Sequence, residues 1–140
     1  MKKVRVRFSK KGKIRFVSHR DIARIWERSL RKAQIQLAYS EGFSPRPKIS
    51  FGLALPTGNE SEAEYLDLEL VNDIRDNSDG LADFKEKLNK ALPEGIEVQN
   101  AAEKEFGTES LQQVVIQCTW QFDLSGYTID QAKKWSEEIL

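Results

Sequence analysis

Cysteine and histidine each occur once in the chain, as Cys118 and His19. A single cysteine forms no internal disulfide, and one histidine beside one cysteine does not supply the ligand set of a zinc site. No apolar run approaches the roughly 20 residues that cross a bilayer. The opening Met-Lys-Lys-Val-Arg-Val-Arg leads into a strand pattern and not into a signal-peptide core, so the expected compartment is the cytoplasm. The eight glycines form neither a phosphate loop followed by Lys-Ser or Lys-Thr nor a dinucleotide fingerprint. Short-period repeats and low-complexity segments are also missing. What remains is a soluble globular chain of 140 residues, 39% hydrophobic and 31% charged, for which no metal or cofactor is expected.

Net charge is absent as well, but the zero hides an asymmetry. Residues 1–60 carry 15 Lys and Arg against 4 Asp and Glu, a balance of +11; the remaining 80 carry 7 against 18, a balance of −11. A contrast this sharp implies an anionic partner for the first half or neutralisation of one half by the other.

Val4, Val6 and Phe8 alternate with Lys3, Arg5 and Arg7 as in a strand with one buried face. Ser9 to Gly12 reads as a turn, and Ile14 and Phe16 predict a short extra strand. Ser18 is a good N-cap with Asp21 three residues on, so a helix is predicted from about His19 to Gln34. Its buried face would be Ile22, Ile25, Trp26, Ser29 and Ala33, and another face would stack Arg20, Arg24, Arg28 and Arg31. Ile49, Phe51, Leu53 and Leu55, then Leu66, Leu68 and Leu70, predict an antiparallel hairpin around a Pro-Thr-Gly-Asn turn. Its entry loop is braced by Pro45 and Pro47 on either side of Arg46. A second helix, capped by Ser78 or Asp79, turns Leu81, Phe84, Leu88 and Leu92 inward and ends at Pro93 and Gly95; Ile96 and Val98 start another strand. The order strand, helix, strand, strand, helix, strand predicts an α+β fold, a ferredoxin-like domain over residues 1–103. Alternation from Val114 to Leu124, with Cys118 on the buried side, and a capping box at Thr128 and Gln131 predict the start of a second, incomplete β-α unit over 111–140.

Three stretches carry a resemblance to a known family: Arg-Phe-Val-Ser-His-Arg-Asp at 15–21, Ser-Glu-Gly-Phe-Ser-Pro-Arg-Pro-Lys-Ile-Ser-Phe-Gly at 40–52, and Glu-Ser-Glu-Ala-Glu-Tyr-Leu-Asp at 60–67. Together they closely resemble the uncharacterised bacterial radical SAM-linked domain, over residues 3 to about 103. The resemblance implies a partner: in that family the domain is fused behind a radical S-adenosylmethionine protein or encoded beside one. Radical chemistry would belong to that partner, because holding the iron–sulfur cluster takes three cysteine thiolates and this chain has one.

The arginine row of the first helix, with Lys10, Lys11, Lys13, Arg46 and Lys48 in flanking loops, is the leading candidate site. Clustered Lys and Arg gain affinity for a phosphodiester backbone by releasing condensed counterions. By contrast, Arg5 and Arg7 are expected across from Asp67 and Glu69, which would neutralise the open sheet. Glu60, Glu62, Glu64, Asp67 and Glu69 are expected on solvated surface. His19, the only side chain whose ordinary pKa suits proton transfer near neutrality, could work with Tyr39 or Lys48. The fold is also similar to that of CRISPR repeat-processing endoribonucleases, some of which use a histidine in this general region.

The expected function is a non-catalytic RNA-binding or substrate-presenting accessory domain for a radical SAM enzyme, with Arg20, Arg24, Arg28, Arg31, Arg46, Lys48, Lys10 and Lys11 on the RNA. Two alternatives stand beside it. One is a protein-interaction module docking an acidic surface; the other is a metal-independent endoribonuclease centred on His19.

Overall fold

A computed structural model describes residues 2–71, 78–105, 107 and 110–139. Strand β1 (Lys2–Lys10) leads through a 3-10 turn (Gly12–Phe16) into helix α1 (His19–Lys32); β2 (Ile49–Phe51) and β3 (Ser61–Leu70) form a hairpin; helix α2 (Ser78–Ala91) returns to β4 (Ile96–Lys104). The sheet order is β2-β3-β1-β4, every pairing antiparallel. This is the ferredoxin-like arrangement of two interleaved β-α-β units. A short helix α3 (Leu111–Val114) and a terminal helix α4 (Ile129–Ile139) follow. Among the described residues no helix is long and apolar enough to cross a membrane.

The core lies between one face of the sheet and the two helices. Val4, Val6 and Phe8 from β1, Leu66, Leu68 and Leu70 from β3, and Ile96 and Val98 from β4 meet Ile22, Trp26 and Leu30 of α1 and Phe84, Leu88 and Leu92 of α2. Phe8 and Trp26 touch edge to face with ring centroids 4.9 Å apart, an arrangement that adds quadrupole attraction to the buried area. The side chains of Ser78 and Asp79, the expected caps of α2, lie outside the described residues, as does that of Ile139.

Four local expectations are corrected. Ile14 to Phe16 form a 3-10 turn and not a strand, because Gly12 at φ +75° bends the chain away from β1. Val17 N–H then closes the turn on the Ile14 carbonyl. The first strand of the hairpin stops at Phe51 instead of reaching Leu55. Arg5 does face Asp67, but Arg7 faces Tyr65 and Lys3 faces Glu69. Residues 115–124 form no strand; α3 occupies 111–114, and Cys118 and Ile116 are exposed. Alternation marks a segment suited to a ladder, but a strand also needs a neighbour to take its backbone hydrogen bonds. The capping box of α4 forms as expected, with reciprocal bonds between Thr128 and Gln131 at 2.9 and 3.2 Å.

Candidate nucleic-acid interface

Helix α1 positions most of the candidate residues, and its ends are set locally. Ser18 Oγ accepts the Asp21 N–H at 3.2 Å, while Gln34, at φ +60°, takes the left-handed turn that ends the helix. At about 100° per residue, Arg20, Arg24, Arg28 and Arg31 fall within an arc of roughly 80°. Ile22, Trp26, Ser29 and Leu30, the buried residues of this helix, occupy the opposite side. Burial of that apolar stripe therefore forces all four arginines outward, and all four are exposed. From Arg20 to Arg31 the row is about 16 Å long, the rise of roughly five nucleotides in one strand.

The cations differ in what they already touch. Arg24 sits 3.7 Å from Asp21 in a solvent-exposed pair. Lys48 pairs with Glu69 at 3.1 Å and Lys11 with Glu62 at 3.5 Å. Among the described residues, no carboxylate lies within 4 Å of Arg20, Arg28, Arg31 or Arg46. Lys10 leaves the set of exposed cations altogether: it is 2% exposed, and its ammonium donates to the Val17 carbonyl at 3.1 Å.

Topology brings the proline-braced loop to one end of the row. Strand β1 starts opposite Leu70, and α1 runs back from the far end of that strand. The chain then bridges Leu37 to Leu70. The loop over 39–48 thus leaves the end of the sheet where α1 finishes, next to the part of the row that carries Arg28 and Arg31. It re-enters the sheet as edge strand β2.

His19 sits at the other end of α1. Its ring meets Phe51 edge to face, centroids 4.8 Å apart. With Lys10, Glu64, Phe8 and Leu53 it lines a cavity of about 10 Å³, room for one water. Burial, then the nearby Lys10 ammonium, lowers the His19 pKa. Burial raises that of Glu64, opposed by a 2.9 Å bond from the Ser61 hydroxyl and by Lys10. Burial lowers the Lys10 pKa, against the pull of Glu64. Neither Tyr39 nor Lys48, the partners the sequence offers to His19, lines this cavity. Sequence reasoning also placed Glu64 and Asp67 on solvated surface, whereas Asp67 is 4% exposed and Glu64 half-buried. The signal was present: Lys10 and Glu64 fall in phase with the apolar stripes Val4-Val6-Phe8 and Leu70-Leu68-Leu66. Charged residues in core phase at a strand end mark a polar seam under the helix. No group of three or more His, Cys, Asp or Glu among the described residues could hold a metal ion.

The model of a family described as uncharacterized proteins conserved in bacteria (DUF2344) matches residues 3–140. The chain belongs to that family. A comparison with curated proteins finds no match. The DUF2344 match runs beyond the ferredoxin-like unit to take in α3, residues 115–128 and α4. For this DUF2344 chain, then, the segment after residue 110 lies inside the matched range along with α1 and the braced loop.

Proposed function

We propose that this domain is a non-catalytic RNA-binding or substrate-presenting accessory domain that works with a radical SAM enzyme. The single observation behind the RNA reading is that Arg20, Arg28 and Arg31 share one exposed face, with no carboxylate within 4 Å among the described residues. Guanidinium groups that are already solvated and unpaired need give up little to meet phosphate oxygens, and each offers two-point hydrogen bonding. Exposed Arg46 extends the positive surface from the neighbouring loop. The enzyme link rests on the resemblance of the three motifs to the radical SAM-linked domain, and the chain itself would supply binding and orientation only. Neither Tyr39 nor Lys48 lines the cavity at His19, so the acid–base set considered for cleavage is not assembled around that ring, which favours this reading over RNA cleavage.

The test is fluorescence anisotropy with a labelled structured RNA from 50 to 300 mM salt. Affinity falls steeply with salt, and Arg28→Ala/Arg31→Ala weakens binding about tenfold and reduces the salt slope by between one and two. Salt-insensitive or absent RNA binding, with tight binding to an acidic protein surface instead, overturns the proposal.

A further inference from the structure

The loop between Tyr39 and Pro47 is built more firmly than its exposure would suggest. Tyr39 and Pro47 form a β-bridge. The Ser40 N–H donates to the Arg46 carbonyl at 2.9 Å, and the Arg46 N–H donates back to Ser40 Oγ at 3.0 Å. Below them the Lys48 N–H bonds the Ala38 carbonyl at 2.9 Å, and the Ala38 N–H bonds the Glu69 carbonyl at 2.8 Å. Pro45 and Pro47 fix two φ angles, and Gly42 makes the bend at φ +123°, a conformation costly for any side chain. The loop is a clamp tied to the sheet edge at its base and across its neck.

At the tip of that clamp stands Phe43, with a relative exposure of 109%. Among the described residues nothing covers its ring. One exposed apolar residue is ordinary on a mobile loop. Here the neck is tied three residues to either side of the ring, at Ser40 and Arg46, and Phe43 stands away from the core that would otherwise take it. Tyr39, 52% exposed, stands at the neck, and the exposed side chains of Arg46 and Lys48 follow Phe43 by three and five residues. An exposed aromatic ring in one loop with guanidinium and ammonium groups is the composition of a single-strand platform, where the cations hold the backbone and the ring takes a base. Glu41 is the one acidic residue between 39 and 48 and is also exposed, so the loop keeps a net positive charge.

We infer that Phe43 stacks on an unpaired base of the RNA, which makes the ligand class RNA with a single-stranded or looped segment. This inference rests on the RNA reading above and extends it from charge to base contact. A helical RNA keeps its bases stacked on one another and offers no free face to the ring, so duplex binding would use the arginines alone.

Two RNAs of equal length separate the two levels, an unstructured 12-mer and a blunt duplex, each titrated with the wild-type chain, Phe43→Ala, Phe43→Leu, Phe43→Trp and Arg28→Ala/Arg31→Ala. The expected result is a loss of about 5- to 100-fold on the 12-mer for Phe43→Ala. Phe43→Leu, which keeps apolar bulk without a π face, shows a similar loss, and Phe43→Trp binds as well as the wild type. The salt slope and duplex affinity stay unchanged in all three. If Phe43→Ala binds the 12-mer like the wild type while the double arginine variant loses both RNAs, the base contact is refuted and the RNA reading stands. If Phe43→Leu retains full affinity, the ring is acting as general apolar surface, as it would against a protein, and stacking is refuted. A wild-type chain that binds neither RNA removes both proposals.

Discussion

Arg5 and Asp67 face each other across β1 and β3 and are joined at two points, Nε to Oδ1 at 2.8 Å and Nη2 to Oδ2 at 3.0 Å. Lys3 approaches the same carboxylate at 3.7 Å, and Asp67 is 4% exposed. A partly buried carboxylate shared by two cations is costly to remove, because both positive groups then lose their compensation. Asp67→Ala is expected to lower unfolding stability by about 2–3 kcal/mol, and Asp67→Asn, which keeps the shape and part of the hydrogen bonding, by about 1 kcal/mol. Urea denaturation near neutral pH measures both. The open face of the sheet is stabilised by this neutralisation, which is why the candidate RNA surface lies on α1 and the loop.

Gly95 offers a backbone test of how the N-terminal strand is closed against α2. At φ +99° it lies under the turn after β1, where an added Cβ would come within 2.5 Å of the Lys11 carbonyl and 2.7 Å of Ile14 Cγ2. The Lys11 N–H is bonded to the Gly95 carbonyl at 2.8 Å, so the neighbour cannot retreat without losing a hydrogen bond. Gly95→Ala combines a left-handed φ with a backbone clash, and a loss of about 2–4 kcal/mol is expected. A fall in the urea midpoint with an unchanged m-value would locate the effect in the folded state.

His19 and Glu64 give opposite pH signatures from the same seam. The folded His19 pKa lies below 6.5, so the fold resists its protonation: stability is lost as pH falls through the unfolded value of 6.5 and is fully lost below the folded value. Glu64 is raised from 4.5, so the fold resists its ionisation, and stability is lost as pH rises from 4.5 through the folded value. His19→Gln should therefore gain stability relative to the wild type as pH drops below 6.5. Glu64→Gln should gain relative to the wild type as pH rises above 4.5. Denaturant titrations at pH 4.5, 5.5 and 7.5 check the signs; parallel pH profiles in all three proteins would mean that neither group is held in the seam.

The fold was largely legible in the chain because its core stripes are clean. Val4, Val6 and Phe8, the leucines 66, 68 and 70, and the α1 face with Ser18 as cap each have a single period and a clear boundary. Where the reading failed, either the pattern was too short to choose between two local structures or the deciding contact was distant. Ile14 and Phe16 alternate over only three residues, which a 3-10 turn accommodates equally well, and Gly12 decides between them. The alternation from Val114 to Leu124 states what a strand needs on its faces but says nothing about a partner for its edges. The candidate site divides in the same way. The arginine row follows from helical spacing alone, whereas the pairing of Lys48 with Glu69 and the burial of Lys10 depend on strand register. Phe43 reads as an ordinary aromatic until the bonds between Ser40 and Arg46 show that its loop is held.

The Lys48–Glu69 pair makes the charge argument testable without removing any cation. Their charged ends are 3.1 Å apart with side chains 40% and 26% exposed, so the carboxylate competes with a phosphate for the ammonium and adds local repulsion toward an anionic ligand. Glu69→Gln keeps the side-chain volume and frees Lys48. The pair itself contributes little to stability, on the order of 0.2–1 kcal/mol for exposed partners, so the variant should fold normally. Freed from that competition, Lys48 should raise RNA affinity by about two- to fivefold at 50 mM salt, a free energy of the same order as the pair it replaces. The gain should shrink as salt screens the added charge. Glu62→Gln, which frees Lys11 at a different place on the surface, serves as the comparison. A larger gain from Glu69→Gln than from Glu62→Gln places the phosphate path along the loop and the end of α1. Equal gains would mean that RNA senses only total charge, and no gain from either would exclude Lys48 from the contact.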